Sequence, residues 1–579
     1  MTELSRGAPA KSFIWFALYF QIKRAHFSAY EDRSLECQRQ GGTHVKAQSR
    51  LARSTAFAVA TLWVALAAEG SPHGTDGSAG AVGRPEFFIP AGAAHTLPTW
   101  STFENPSGTL GILNAEGPIQ TRDHPFFEPL GTNGRACVTC HQPADAMSLS
   151  VRSIVSRWAL SGAKDPLFAA VDGANCPNLP MDQRASHSLL LSKGLFRIAQ
   201  PWPPRDATGR TISPEFDITL MNDRTGCNSD AVYGMASKHP HVSIYRRPRM
   251  AANLKFVEPD KPVSLWHIRT GEIRPVDPET GHRLGGNLMA DSRDATLRTQ
   301  MEDAARTHMQ APMGLSRTDQ DAIRRFEVQI YAAQIDDRMG GSLHSDGALL
   351  GPQALRDGKP VAVMAYSARP LFPEIEGWIT SRVASSITWQ PLVHLPEFPR
   401  QRANETSETP QQRAYRDSVA RGYLSFVYRQ FLIRNVADLN GFIGNPVKQT
   451  CAACHNMVQT GMDVAPGYLD LGTNTMPTAT PAPDLPLFRI DCHKDAPPHP
   501  YLGRRIYTTD PGRALITGRC ADVGKVVVQQ MRGLAARAPY FANGGAPDLR
   551  AVVQYYDDRF HIDYTEQEKT DLVNFMGAL

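Results

Sequence analysis

The chain has 579 residues, of which 42% are hydrophobic and 20% charged, which is the composition of an ordinary soluble globular protein with room for two to four domains. The formal charge of +4 comes from residues 1–68, which hold nine basic and four acidic residues. The rest of the chain has 52 basic and 53 acidic residues and is near neutral. This balance gives no basis for nucleic-acid binding.

Residues 46–68 have the three parts of a secretory signal, which are a charged region at residues 46–53, an apolar core at residues 55–66 and a small-x-small cleavage site at residues 65–67. Export to the periplasm is therefore predicted. The apolar core and the earlier run at residues 13–20 are too short to span a bilayer, so we expect no permanent membrane helix. Because 45 residues precede the signal, we hypothesise that translation starts later, at Val45.

Residues 70–130 are rich in Gly, Pro and aromatic residues without clear periodicity, which predicts an irregular lead-in that covers the following motif. That motif, Cys137-x-x-Cys140-His141, is the attachment signature of a c-type haem. Two thiols a helical turn apart can each form a thioether to a haem vinyl group while the adjacent imidazole binds the iron. The motif returns at residues 451–455, so two covalently bound haems are predicted.

Three other readings of the two motifs remain open, namely a chance match, a zinc knuckle and a thioredoxin-like redox pair. Zinc usually takes four protein ligands, and thioredoxin-like pairs lie in a βαβ setting. Both requirements argue against these readings in an exported chain.

Four cysteines remain once the two motifs and Cys37 of the presequence are set aside, namely Cys176, Cys227, Cys492 and Cys520. An even set in an oxidising compartment predicts two disulfides. Of the three pairings, proximity in sequence favours Cys176–Cys227 and Cys492–Cys520. The alternative is four free buried thiols.

Residues 142–245 carry many Pro, Asp and Gly residues between short apolar runs, which predicts loops with short helices. A capped helix is expected over residues 318–334, because apolar residues recur there at helical spacing, and another over residues 411–435. A capping box at residues 565–568 opens a C-terminal helix with one apolar stripe. Gly, Pro and Ser clusters mark residues 340–410 as a linker or insertion.

These elements predict a mainly α fold made of two cytochrome c-like haem domains with long loops and insertions. Its expected parts are a presequence with the signal (1–68), an N-terminal domain with the reactive haem (69–339), a linker or insertion (340–410) and a C-terminal haem domain (411–579).

Two segments outside the haem motifs carry a family resemblance. Residues 291–300 read Asp-Ser-Arg-Asp-Ala-Thr-Leu-Arg-Thr-Gln, which resembles the Asp-Gly-Arg-Ala-x-x-Leu-x-x-Gln stretch of bacterial di-haem cytochrome c peroxidases and their MauG-type relatives. Residues 531–544 resemble that family's Leu-Arg-Asn-x-x-x-Thr-Ala-Pro-Tyr-Phe-His-Asp-Gly segment. With both haem motifs the resemblance touches most of residues 130–579. The wide spacing of the motifs is similar to that of the longer members, which include the rubber oxygenases.

The resemblance implies an N-terminal haem that handles peroxide or oxygen and a C-terminal haem that supplies electrons to it. His141 would be the proximal ligand of the first and His455, with Cys451 and Cys454, would belong to the second. The implied reaction is reduction of hydrogen peroxide with electrons from a small cytochrome or cupredoxin. The alternatives are MauG-like or rubber-oxygenase-like oxidation of an organic or protein substrate, and a two-haem electron carrier without enzymatic activity.

The chain departs from the family in the reactive region. The Trp that lies between the haems is Ala290 here, and the acidic distal residue falls on Gln310. We therefore expect His308 to be the first acid/base candidate and Gln300 the second, because an imidazole can accept and return a proton near neutral pH. A lone His on a helix is also compatible with a surface or core position.

The resemblance also implies ligands for the second haem and for a metal ion. The axial Tyr of MauG-type enzymes falls on Tyr556, with Met531 and His561 as alternatives, and a third departure is Ala542 in place of the family's His. A core or surface aromatic is the plain alternative for Tyr556. Asn253 matches the family's Asn at a calcium site, so a bound calcium ion is a further expectation, with backbone carbonyls as most of its ligands.

Overall fold

The computed structural model describes residues 88–206, 208–258, 286–343, 351–358, 409–457, 459–462 and 468–579. All of the described residues belong to a single unit of the chain, Gly80–Leu579. The secretory signal predicted at residues 46–68 lies outside the described residues, as does most of the linker predicted at residues 340–410. Within the described ranges, no helix combines the length and apolar character needed to cross a membrane.

The α-helices of the described residues are α1 (Val151–Ser161), α2 (Ser188–Lys193), α3 (Leu297–Thr307), α4 (Arg317–Gln329), α5 (Pro352–Asp357), α6 (Pro410–Tyr428), α7 (Asn440–Ile443), α8 (Ala514–Thr517), α9 (Leu549–Phe560) and α10 (Glu566–Gly577). Side-chain caps define the longer ones. Ser150, Thr296, Ser316, Thr409 and Thr565 each accept a hydrogen bond from a backbone N–H of the first turn.

The strands are β1 (Thr96–Leu97), β2 (Trp100–Asn105), β3 (Gly108–Asn114), β4 (Ile119–Gln120), β5 (Phe196–Pro201), β6 (Phe216–Asn222), β7 (His241–Arg246), β8 (Ile330–Asp337), β9 (Gly341–Ser342), β10 (Phe431–Ile433), β11 (Val447–Gln449), β12 (Tyr468–Leu469), β13 (Leu487–Cys492), β14 (Arg505–Thr508) and β15 (Val526–Val527). Their pairings are antiparallel, in the orders β2-β3-β8-β9, β14-β13-β6, β5-β7, β1-β4, β10-β11 and β12-β15.

The predicted mainly α fold of two cytochrome c-like domains is wrong, because the described residues are 31% helix and 20% strand, with several small sheets. The expected irregular lead-in contains the β2-β3 hairpin. The side chain of Asn105 closes its turn by accepting hydrogen bonds from the backbone N–H groups of Ser107 and Gly108. The loops predicted for residues 142–245 include α1 and α2 but also strands β5, β6 and β7.

The helix predicted over residues 318–334 exists but ends at Gln329, where the chain continues directly into β8. Nearly every residue of β8 is buried, and a strand buried on both faces gives a continuous apolar run that periodicity cannot distinguish from a helix. The helix predicted over residues 411–435 likewise ends at Tyr428. The capping box at Thr565 and Glu568 is confirmed.

Two large hydrophobic cores hold the two haem motifs. One lies around β3, β8, α3 and α4 and includes Val138 of the first motif, and the other lies around α6, α9 and α10 and includes Cys454 of the second. Gly422 allows α6 to pack tightly on α10, because a Cβ there would collide with the carbonyl of Asp571. Met457 and Met462, from the loop after the second motif, pack into the first core. The two cores therefore interlock.

Both disulfides are present with the favoured pairing, Cys176–Cys227 and Cys492–Cys520, and their Cα atoms are 5.2 and 5.8 Å apart. The second disulfide belongs to a third core, in which β6 pairs with β13. Residues from the predicted N-terminal and C-terminal domains thus share one sheet, and the domain boundaries themselves stay a prediction.

Replacing Cys176 and Cys227 with serine should lower the free energy of unfolding by about 4 kcal/mol, because the bond closes a long loop and removes entropy from the unfolded chain. The corresponding change at Cys492 and Cys520 should cost slightly less, since the sequence separation is 28 rather than 51. Denaturant unfolding of the oxidised protein and both variants measures this. Equal stability of the Cys176 variant and the parent would contradict it.

Candidate functional site

The first Cys-x-x-Cys-His motif folds as a tight turn. Cys137–Thr139 form a short 3-10 helix, and the backbone N–H groups of Cys140 and His141 both donate to the carbonyl of Cys137, at 3.2 and 3.1 Å. Nδ1 of His141 donates to the carbonyl of Met147, 3.0 Å away. This bond fixes the ring and leaves the lone pair on Nε2, which is the arrangement of a supported metal-binding imidazole.

The motif opens into a cleft of about 1340 Å³, called here the first cleft. Cys137, Cys140 and His141 share its lining with both residues predicted for the distal pocket, Gln300 and His308. Helix α3 supplies Gln300, and His308 follows its last residue. The structure therefore brings together five residues that lie as far as 171 positions apart in sequence.

His308 is held by a carboxylate. Its Nδ1 lies 2.5 Å from Oδ2 of Asp172, and the other carboxylate oxygen of Asp172 pairs with Arg135. Burial disfavours the charged form of Asp172, but Arg135 and His308 outweigh burial and lower its pKa. An ionised Asp172 accepts the Nδ1 proton, so Nε2 of His308 is the nitrogen that carries the lone pair. This is the base-and-orienting-carboxylate arrangement of many acid/base sites.

Gln310, the position of the family's acidic residue, is exposed and does not line the first cleft. Its carbonyl instead accepts hydrogen bonds from the backbone N–H and the hydroxyl of Thr132. The choice of His308 over Gln310 therefore agrees with the geometry.

The first cleft also contains Glu327, which the sequence analysis did not select. Glu327 lies on α4, is 5% exposed, and its Oε2 has no hydrogen-bond partner among the described residues. Burial, with a contribution from Glu258, raises its pKa to about 8. A signal was present in sequence, because Glu327 follows Ile323 by four residues and so stands on the apolar face of its helix.

The second motif repeats the local geometry of the first. Cys451–Ala453 form a 3-10 helix, and Nδ1 of His455 donates to the carbonyl of Gly461, 2.6 Å away. In both motifs the acceptor is the carbonyl six residues after the histidine. The sequence offered no signal for this second support, because any residue type supplies a carbonyl.

The second motif opens into another cleft, of about 1510 Å³, called here the second cleft. Cys451, Cys454 and His455 line it together with Tyr556 and Met531. The remaining candidate ligand, His561, is exposed at the end of α9 and is not part of this lining.

Tyr556 lies among other aromatic side chains. Its ring stacks on Phe560 at 6.3 Å and meets the edges of Phe541 and Tyr555 at 6.1 and 5.5 Å. No hydrogen bond to its hydroxyl is found within the described residues, whereas the hydroxyl of Tyr555 donates to the carbonyl of Leu471 at 3.0 Å. Burial, with smaller contributions from Tyr555 and the motif cysteines, raises the pKa of Tyr556. Its hydroxyl is thus the one placed to meet a group in the cleft.

The two clefts are neighbours. Arg247, Pro248, Gln529 and Gln530 line both and form what we call the shared wall. Ala290 lines the first cleft, and its carbonyl accepts a hydrogen bond of 2.8 Å from the N–H of Val527, which lines the second. Ala290 therefore lies where the two clefts adjoin and places a methyl group there. Ala542, the third departure, lines the second cleft.

Asn253 bridges the two halves of the chain. Its Nδ2 donates to the carbonyl of Ala332 and to Oε1 of Gln530, both at 3.0 Å, and its Oδ1 accepts from the N–H of Ala332. In the part of the chain that the structure describes, no group of three or more His, Cys, Asp and Glu side chains is arranged to hold a metal ion. The calcium site stays a prediction.

The residues of each cleft fit a c-type haem. The four motif cysteines are free thiols rather than disulfides, and each cleft has two of them beside a histidine whose Nδ1 is already anchored. His141 and His455 would hold the iron.

Comparison of the chain with family models, curated proteins and solved structures finds no match.

Proposed function

We propose that the protein is an exported di-haem c-type oxidoreductase that reduces hydrogen peroxide with electrons from a small donor protein, a cytochrome or a cupredoxin. One observation carries the proposal: two Cys-x-x-Cys-His motifs line two large clefts that share a wall. A c-type haem, when bound, supplies an iron for peroxide and a path for electrons. Peroxide takes up two electrons and two protons and leaves as two molecules of water.

The chain's own part in the first cleft is to handle protons. Nε2 of His308 accepts a proton from one peroxide oxygen and returns it to the other, which makes the departing oxygen a water molecule. Asp172 keeps the other ring nitrogen protonated and the ring in place. The amide of Gln300 supplies a hydrogen-bond donor in the same cleft.

The chain's part in the second cleft would be to hold the iron of an electron-supplying haem. His455 and Tyr556 both line this cleft, and the hydroxyl oxygen of Tyr556 would be a hard ligand that favours higher oxidation states of iron.

Replacing Tyr556 with phenylalanine should change the visible and paramagnetic-resonance spectra of one haem only, because the loss is confined to the second cleft. Tyr555→Phe is the matched control, since its neighbouring hydroxyl bonds the carbonyl of Leu471 and does not line the cleft. Both spectra are recorded on the oxidised holoprotein. Identical spectra for the parent and Tyr556→Phe would retire the ligand assignment.

A second candidate is oxidation of an organic or protein substrate. It is favoured by the apolar side chains of the first cleft, including Leu254, Val257, Leu297 and Met301, and by Ala290, where the aromatic group is missing. An apolar side of this kind suits an organic substrate better than peroxide alone.

The deciding experiment is a titration of the purified holoprotein with peroxide and an electron donor, followed by optical and paramagnetic-resonance spectra. Consumption of two donor electrons per peroxide supports the peroxidase. Peroxide loss without donor oxidation, with a modified organic product, supports the second candidate. Two low-spin haems under every condition without turnover would leave an electron carrier and contradict both enzymatic functions.

A further inference from the structure

Arg247 of the shared wall and two further cleft arginines, Arg249 and Arg537, lack a carboxylate partner among the described residues. Arg247 donates to the carbonyls of Lys193, Leu149 and Arg537, at 3.0, 2.6 and 2.9 Å. Arg537 donates to two further carbonyls, and Arg249 to the carbonyl of Met289 at 3.1 Å. Carbonyl oxygens satisfy some of the N–H groups but do not neutralise the charge.

The positive charge of Arg537 also repels those of Arg247 and Arg249. Burial and the nearby Arg537 lower the pKa of both Arg247 and Arg249 to about 10, and burial lowers that of Arg537 to about 10. All three remain cationic at neutral pH. The carboxylate of Asp291 acts to raise the pKa of Arg249, but it already forms ion pairs with Arg246 and Arg293.

Arg246, the residue before Arg247, is a buried arginine whose charge is neutralised by carboxylates. Arg246 forms ion pairs with Asp291 and Asp510, both buried, and these raise its pKa despite burial. Leaving a buried charge uncompensated is strongly destabilising. We therefore expect anions bound in the clefts to neutralise the three arginines.

The placement of the three side chains matches the two clefts. Arg249 lines the first cleft, Arg537 lines the second, and Arg247 lines both. Arg537 is 8% exposed, so whatever it binds must enter through its cleft. The planar guanidinium fork binds carboxylates in two-point geometry.

We infer that Arg247, Arg249 and Arg537 form a carboxylate-binding site that holds the propionate groups of both haems against the shared wall. Arg249 would bind a propionate of the first haem, Arg537 one of the second, and Arg247 one from each. This inference rests on the proposed function. Because Arg247 would bind a propionate of each haem, its replacement should affect both haems.

The test is a redox titration of the two haems in purified holoprotein variants. A cation beside a propionate favours the reduced haem, because reduction adds one negative charge. Arg249→Gln should lower only the first midpoint potential, Arg537→Gln only the second, and Arg247→Gln both. The expected change is about tenfold in the ratio of oxidised to reduced haem at a fixed potential, or about 59 mV for one electron. Cys451→Ala with Cys454→Ala, which removes the second haem, identifies the wave of the first.

Arg416→Gln is the matched control. Arg416 is 6% exposed and donates to the carbonyls of Gly340 and Ser342, but it lines neither cleft. Its replacement should move neither potential. Arg247→Lys keeps the positive charge, so both midpoint potentials should stay close to those of the parent.

Several outcomes would overturn the inference. They are unchanged potentials in Arg247→Gln, a shift of one haem only in that variant, and equal shifts in Arg416→Gln. If Arg247→Gln does not fold, Arg249→Gln removes a single carbonyl bond from a half-buried side chain and still tests the propionate contact of the first haem, which an unchanged first potential would contradict. Absence of covalent haem from the parent protein would instead refute the proposed function, and the two failures are therefore distinguishable.

Discussion

Replacing Cys137 and Cys140 together with alanine should leave the protein with one covalently bound haem, where the proposed function requires two. Both thiols line the first cleft and neither is used in a disulfide, so no other bond competes for them. Without the thioethers, the first haem would be held by His141 alone and would be lost on denaturation. The pyridine haemochrome absorbance per chain should fall to about half, and the intact mass by one haem.

The reciprocal variant with Cys451 and Cys454 replaced is the matched control, because it should retain the first haem and lose the second. Zinc and iron analysis of the same samples tests the alternative reading of the motifs. Two equivalents of zinc and no iron in the parent would establish zinc knuckles and contradict the haem assignment. Unchanged haem content in either double variant would do the same for that motif.

The proximity of the two cysteines and the histidine in each motif was predictable, because it depends on residue types at short spacing. The same holds for the disulfides, where four cysteines leave few pairings, and for the helix that begins at Thr565, whose capping box is a four-residue pattern. Each of these features is decided within a few residues or by counting.

The fold class was not predictable by the same means. Strand β6 pairs with β13 about 270 residues later, and β3 with β8 about 220 residues later. Sequence periodicity cannot show which distant strands pair. The apolar residues at the start of β8 also cannot be distinguished by periodicity from a continuation of the preceding helix. The helices predicted over residues 318–334 and 411–435 extend into strands β8 and β10, and the strands of residues 142–245 were predicted as loops with short helices.

In the candidate site, too, some residues were predictable from the sequence and others were not. His308 and Gln300 were selected from the resemblance, and the structure places both in the first cleft. Asp172 was missed because it lies 136 residues from His308, within residues 142–245, where the sequence predicted loops with short helices. That segment therefore has a role, since it brings a carboxylate to the acid/base candidate.

Replacing His308 with glutamine should lower the rate of peroxide reduction by about 10² to 10⁴-fold, the usual range for loss of a general acid/base. Asp172→Asn should cause a smaller loss, because Nε2 stays in the cleft while the carboxylate that orients the ring and pairs with Arg135 is removed. The measurements are the rate of donor oxidation at saturating peroxide and its dependence on pH.

The pH profile separates a proton-transfer role from a structural one. If Nε2 of His308 accepts the peroxide proton, the dependence of the rate on pH should change in His308→Gln. A variant that only disturbs packing would be slower but would keep the pH dependence of the parent. Gln310→Glu is the matched control, since it restores the family's acidic residue at an exposed position outside the cleft. A large gain of activity in Gln310→Glu, or an unchanged rate in His308→Gln, would assign the proton transfer elsewhere in the first cleft, with Glu327 as the next residue to replace.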